Sequence, residues 1–186
     1  MSKGLVVKST GSWYTVEGAD GVLYQCKVKG NFRIKGIKST NPVAVGDHVN
    51  FIVQPSSEND SADKVGLINS VEDRKNYIVR RSSNLSKQSH IIAANIDQAV
   101  LVVTLKYPVT TTTFIDRYLA SAEAYSIPVL LVFNKTDIYT AEQREVLGSL
   151  TNLYEAIDYN CITASAKTLN GIENLKIEKI GSDINK

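Results

Sequence analysis

At 186 residues the chain has room for one large domain or two small ones, and 43% hydrophobic with 22% charged residues is the make-up of an ordinary globular protein. Its longest apolar runs are about six residues, far short of the ~20 that a membrane helix needs, and no secretory signal is visible. The net charge of +2 is uneven: Lys3, Lys8, Lys27, Lys29, Arg33, Lys35 and Lys38 against Glu17, Asp20 and Asp47 give residues 1–50 a charge of +4, leaving −2 for the rest. A basic amino-terminal region suits a surface that faces nucleic acid, and a solvated Lys-rich face gives the same count. Cys26 and Cys161 lie far apart without Cys or His neighbours at metal spacing, and His48 and His90 are isolated. They read as idle groups in a reducing, cytoplasmic setting.

Residues 1–73 read as five short strands separated by turns. Gly4–Lys8, Trp13–Val16, Val22–Val28, His48–Val53 and Val65–Val71 are the strands, with Gly-containing turns at 10–12 and 18–21. This spacing predicts a small barrel of the OB or SH3-like kind, a fold that binds nucleic acid on one face. Trp13, Tyr14, Tyr24 and Phe51 are read mostly as core. The basic loop at 31–41, with Lys29 just before it, supplies the RNA-contact candidates Lys29, Phe32, Arg33, Lys35 and Lys38. Residues 74–93, polar and Ser-rich, read as a linker carrying the pair Arg80-Arg81. Asp63-Lys64-Val65-Gly66 has the form Asp-x-x-Gly, which GTPases use near magnesium, but it falls in the barrel region and is taken as chance.

From residue 94 to 186 the pattern changes. Ala99–Thr104 is a continuous apolar run, predicting a strand buried on both faces. Phe114, Ile115, Tyr118, Leu119 and Ala122 recur at helical spacing behind N-cap candidates in Thr110–Thr113. Pro128–Phe133 is a second buried strand. Thr140-Ala141-Glu142-Gln143 has the form of a capping box before a helix with Val146, Leu147 and Leu150. Asn160–Thr163 is a third strand, and Asn170–Leu175 opens a last helical turn. The order β-α-β-α-β predicts a parallel sheet.

Asn134-Lys135-Thr136-Asp137 stands at the end of the second strand, where open α/β sheets hold ligands. The residue types suit guanine. A carboxylate at Asp137 can accept from both the ring N–H and the exocyclic amine, which adenine does not offer together. If that carboxylate is buried, leaving it unpaired is costly and discrimination is strong. The Lys135 stem can lie along the base, and the Asn134 amide can donate and accept at once. Ser165-Ala166-Lys167 follows at the end of the third strand. In guanine-nucleotide-binding domains such a loop presents backbone N–H groups to the guanine carbonyl oxygen. No G-x-x-x-x-G-K-[ST] phosphate loop occurs in the 186 residues. In the common GTPase order that loop precedes Asn-Lys-x-Asp, so the order here implies a circular permutation.

The barrel, Ala94-Asn95-Ile96-Asp97-Gln98, Phe114-Ile115-Asp116-Arg117-Tyr118-Leu119, Asn134-Lys135-Thr136-Asp137 and Ser165-Ala166-Lys167, in that order, resemble the ribosome small-subunit-dependent GTPase A family (RsgA, also called YjeQ). The resemblance covers about residues 1–175. It implies an OB domain, the base-binding half of a circularly permuted GTPase domain, GTP with Mg²⁺ as cofactor, and Zn²⁺ in a later domain whose ligands this chain lacks. It further implies a monomer that acts late in small ribosomal subunit assembly and binds the subunit's ribosomal RNA. After Leu175 the sequence matches neither the family's phosphate loop nor its zinc ligands, so the catalytic residue stays unknown. Two expectations stand open, a first part of a longer protein or a shorter family member. A different reading, a non-catalytic RNA-binding module with the α/β part as scaffold, also fits the residues.

Overall fold

The computed structural model describes residues 1–28, 42–54, 64–81 and 89–175. Contacts divide the chain into two compact units, one ending at Ile96 and one beginning at Asp97.

In the first unit, β1 (Ser2–Thr10), β2 (Trp13–Gly18), β3 (Leu23–Val28), β4 (His48–Val53) and β5 (Val65–Val71) close a barrel in the order β1-β2-β3-β5-β4. All neighbours are antiparallel except β3 and β5, which run parallel. This is the OB-like barrel that the strand spacing predicts. Alternation sends one side of each strand inward: Val6, Tyr14, Val16, Tyr24, Cys26, Val49, Phe51 and Ile68 form the core. Trp13 departs from the core reading. It is 40% exposed and lies under the Lys27 ammonium, 4.2 Å from the ring centroid. The register explains this, because Tyr14 and Cys26 pair inward, so the adjoining Trp13 and Lys27 share the outer face.

The turn before β4 is held by a buried ion pair. Asp47 is fully buried, and Arg74 Nε and Nη2 each lie 2.7 Å from its two oxygens. Ala44 N–H donates to the same carboxylate at 2.8 Å, and Nη2 also reaches the Pro42 carbonyl at 3.0 Å.

The expected linker 74–93 is corrected in its described part. β6 (Tyr77–Arg81) and β7 (Ser89–Ala94) pair antiparallel. Ala94 N–H donates to Val45 O at 2.9 Å, and Asn95 Nδ2 to Gly46 O at 2.8 Å, which attaches the hairpin to the first unit. Asn76 closes it by a two-way bond to the Ile96 backbone, at 2.7 and 2.8 Å. The Ser-rich stretch at 82–89 concealed the short apolar segments Tyr77–Val79 and Ile91–Ala94 that pair on either side of it.

In the second unit, β8 (Ala99–Val103), β9 (Val129–Phe133) and β10 (Asn160–Thr163) form a parallel sheet in the order β10-β9-β8. Two helices, α1 (Thr112–Glu123) and α2 (Ala141–Glu155), connect them. Thr111 caps α1 and buries Ile115, Leu119 and Ala122 behind it; Phe114 is exposed. The Thr140–Gln143 capping box forms as expected, and α2 buries Leu147 and Tyr154 while Val146 is exposed. β9 is buried throughout. β8 is not: Ala99, Leu101 and Val103 are buried, whereas Val100 and Val102 on its other face are 40% and 56% exposed. The expectation of two buried faces fails because no described element packs over the Val100–Val102 face of β8.

Candidate functional site

Two adjacent strand ends build the site. Asn134 leaves β9 with its N–H on Val103 O at 2.8 Å, so it continues the ladder with β8. Ala164 leaves β10 with its N–H on Phe133 O at 2.9 Å. Parallel pairing therefore brings Asn134–Asp137 beside Ser165–Lys167.

Asn134 Oδ1 accepts from Lys135 N–H at 2.8 Å and from Ala166 N–H at 3.0 Å. Ser165, fully buried, donates its hydroxyl to Asp137 Oδ1 at 2.6 Å and accepts from Thr168 N–H at 3.2 Å. Thr136 joins the loops again, with N–H and Oγ1 on Ala164 O at 3.2 and 3.1 Å. Gly171 (φ 75°) lets the chain pass behind the second loop; a Cβ there would stand 2.2 Å from Thr163 O.

Lys135 takes the left-handed conformation, φ 65° and ψ 33°, which costs a non-glycine residue about 1–2 kcal/mol. The bonds from Asn134 and Thr136 on either side hold it there. Its ammonium donates to the Tyr107 carbonyl.

The Asp137 carboxyl is held below the usual carboxylate range, chiefly by the Ser165 hydroxyl, with help from its own backbone and the Lys167 and Lys135 cations. One expectation is corrected here. Asp137 is exposed, not buried, because it lies within a surface 3₁₀ turn, Thr136–Ile138. Any discrimination it exerts therefore comes when a ligand covers it, not from burial in the free protein. The Ala166 N–H, expected to face a ligand, is taken by Asn134. The bonds that Asp137 and Asn134 make to other residues of the site through their side chains run through Asp137 Oδ1 and Asn134 Oδ1.

Sequence reasoning missed the third side of the site. Tyr139 is buried; its hydroxyl donates to Asn134 O at 2.5 Å and accepts from Leu105 N–H at 2.9 Å. Only its place two residues after Asp137 could have drawn attention to it. Elsewhere, Lys29, Phe32, Arg33, Lys35 and Lys38 lie outside the described residues. Burial pushes the thiols of Cys26 and Cys161 up to about 11, so both are inert at neutral pH. No group of three or more His, Cys, Asp or Glu among the described residues is placed to hold a metal ion. No metal ligand is assigned among the described residues.

A closed OB-like barrel followed by a parallel β-α-β-α-β unit, with paired loops at its strand ends, defines a two-unit protein of barrel and α/β sheet. The sequence matches the RsgA GTPase family over residues 71–183 and the RsgA N-terminal domain over residues 3–59. The chain belongs to the RsgA GTPase family. It is 58% identical over 174 residues to the small ribosomal subunit biogenesis GTPase RsgA 2 of Bacteroides thetaiotaomicron, covering 94% of this chain and 54% of that protein. It is 56% identical over 179 residues to the small ribosomal subunit biogenesis GTPase RsgA of Bacteroides fragilis strain YCH46, covering 96% and 56%. The structure of YjeQ from Thermotoga maritima superposes with a TM-score of 0.68 at 34% identity, covering 95% of this chain and 56% of that one. YloQ, a circularly permuted GTPase, follows at 0.59 and 26%, covering 90% and 52%. The chain thus spans about half the length of the relatives it matches.

Proposed function

We propose that this chain is the RNA-facing barrel and guanine-recognising half of a GTPase that acts in small ribosomal subunit assembly. In this reading Asn134, Lys135, Thr136 and Asp137 bind the base, with Ser165, Ala166 and Lys167 closing over it. One observation carries the assignment: Ser165 Oγ and Asp137 Oδ1, 28 positions apart, meet at 2.6 Å and hold an exposed carboxylate between the two strand-end loops. The Asp137 carboxylate then accepts from the guanine ring N–H and exocyclic amine, and Asn134 Nδ2 donates to an acceptor on the base edge. GTP and Mg²⁺ are what the family brings to this site. Phosphate contacts, the metal and the hydrolytic step are assigned to no residue here, since no phosphate-loop pattern occurs in the chain. Zinc is likewise assigned to no residue here.

The relatives' names support a role in biogenesis of the small subunit. Ribosomal RNA is the partner in this reading, and the Trp13–Lys27 pair on the outer barrel face supports it as a stacking and phosphate-attracting surface. In this reading, which the family resemblance supports, the protein works as a cytoplasmic monomer.

The deciding experiment is calorimetric titration of GDP and xanthosine diphosphate into wild type and Asp137→Asn. The amide can donate to the xanthine carbonyl where the carboxylate only accepted. GDP affinity should fall at least about tenfold, with xanthosine diphosphate gaining, as expected when a charged hydrogen bond is lost. Unchanged GDP binding in the variant would remove the base-pocket assignment.

A further inference from the structure

The loop between β8 and α1 is tied to the base-binding segment from two directions. The first tie is Tyr139. Its ring is buried, and its hydroxyl bridges Leu105 N–H at 2.9 Å and the Asn134 carbonyl at 2.5 Å. The second is Lys135, whose ammonium donates to the Tyr107 carbonyl. The loop is also braced within itself: Thr104 and Thr110 exchange backbone and side-chain bonds at 2.8 and 3.2 Å, and Thr104 Oγ1 donates to Pro108 O. On the far side, Arg144 of α2 donates to the carbonyls of Tyr139 and Thr136, at 3.3 and 3.2 Å. Tyr139 therefore sits between the start of α2 and a hydrogen-bonded loop.

We propose that Tyr139 is a positioning residue for guanine binding, fixing the Asn134 backbone and the 105–109 loop whose Tyr107 carbonyl parks the Lys135 ammonium. This rests on the guanine reading above and adds a third wall to it. Lys135 is in a strained backbone conformation, so its direction depends on what holds its neighbours. Asn134 is held by its amide on one side and its carbonyl on the other, and the second hold is Tyr139. Removing the hydroxyl leaves a backbone donor at Leu105 and an acceptor at Asn134 without that partner. The side chain of Tyr139 itself need not touch the ligand. Its effect is on affinity for the whole base, not on the choice made at the Asp137 carboxylate.

The test uses the full 186-residue chain, labelled with ¹⁵N, and GDP, inosine diphosphate and ADP as probes. Inosine lacks the exocyclic amine. In Tyr139→Phe, affinity for GDP and inosine diphosphate should fall together, by about tenfold, as expected when a buried hydrogen bond is lost. The preference between them should be kept, while Asp137→Asn should lose that preference. A structural defect alone would lower the melting temperature without this split. Hydrogen exchange of the wild type provides an arm without any variant: GDP should slow the Leu105 amide together with those of Asn134–Asp137. If GDP protects Asn134–Asp137 and leaves Leu105 unchanged, or if Tyr139→Phe binds GDP like wild type, the positioning role falls and the guanine site stands. If wild type binds GDP no better than ADP, the guanine reading itself falls, and this proposal with it.

Discussion

Ser165 governs the charge of Asp137, and the sign of the resulting pH dependence can be worked out. The Ser165 hydroxyl stabilises the ionised carboxylate, so its folded value is lowered from the ordinary ~3.9. A lowered acid is ionised at every pH above that value, and the acceptor is lost only as pH falls through it. GDP affinity should therefore be flat between pH 8 and pH 5. In Ser165→Ala the carboxyl returns toward its ordinary value, so the acid edge of the binding curve moves up in pH. Affinity at pH 7 should also fall, by about tenfold, because the freed carboxylate is no longer oriented. GDP titrations of both proteins from pH 8 to pH 4 check this. Identical acid edges would mean that the 2.6 Å bond does not control Asp137.

At the scale of elements, the turn before β4 depends on Arg74. Asp47 is fully buried and the Arg74 side chain is 6% exposed, so each is the other's principal counter-charge. Removing one partner of such a pair strands a buried charge and typically costs about 3–5 kcal/mol, whereas replacing both with apolar groups can be neutral. Arg74→Ala should therefore lose that much stability in urea unfolding of the first unit, and Asp47→Leu with Arg74→Met should regain most of it. A loss below about 1 kcal/mol for Arg74→Ala, a magnitude expected of exposed pairs, would show that the turn does not rely on the pair. The sequence read the five barrel strands, since each is a short apolar stretch bounded by turn or polar residues. It did not read β6 and β7, whose pairing is set across an intervening segment.

For the whole molecule, the barrel is argued to meet RNA while the second unit meets nucleotide. RNA affinity should then fall linearly with salt on logarithmic axes, by about 0.7 per phosphate neutralised on a single strand. Trp13→Ala should lower affinity by about 1–3 kcal/mol, as for one stacked base, and leave the salt slope alone. Lys27→Ala should reduce the slope by about one contact's worth. Filter binding at several salt concentrations separates the two. Full affinity in both variants would move the RNA contact off this face, and the basic candidates at 29–41 would remain.

What the sequence alone determined is the kind and order of all the elements but β6 and β7 and the family they belong to, and it marked the two segments proposed to meet the base. These follow from local patterns: alternation, helical spacing, capping residues and a charged tetrapeptide at a strand end. Tertiary structure alone decided that Asp137 is exposed, that Ser165 holds it through its side chain, and that the Ala166 N–H serves Asn134. It also decided that Tyr139 joins a third loop to the site and that Trp13 faces outward beneath Lys27. The reason is physical. Each of these depends on which backbone groups non-local pairing brings within hydrogen-bond range, and on which side of a strand the register leaves uncovered.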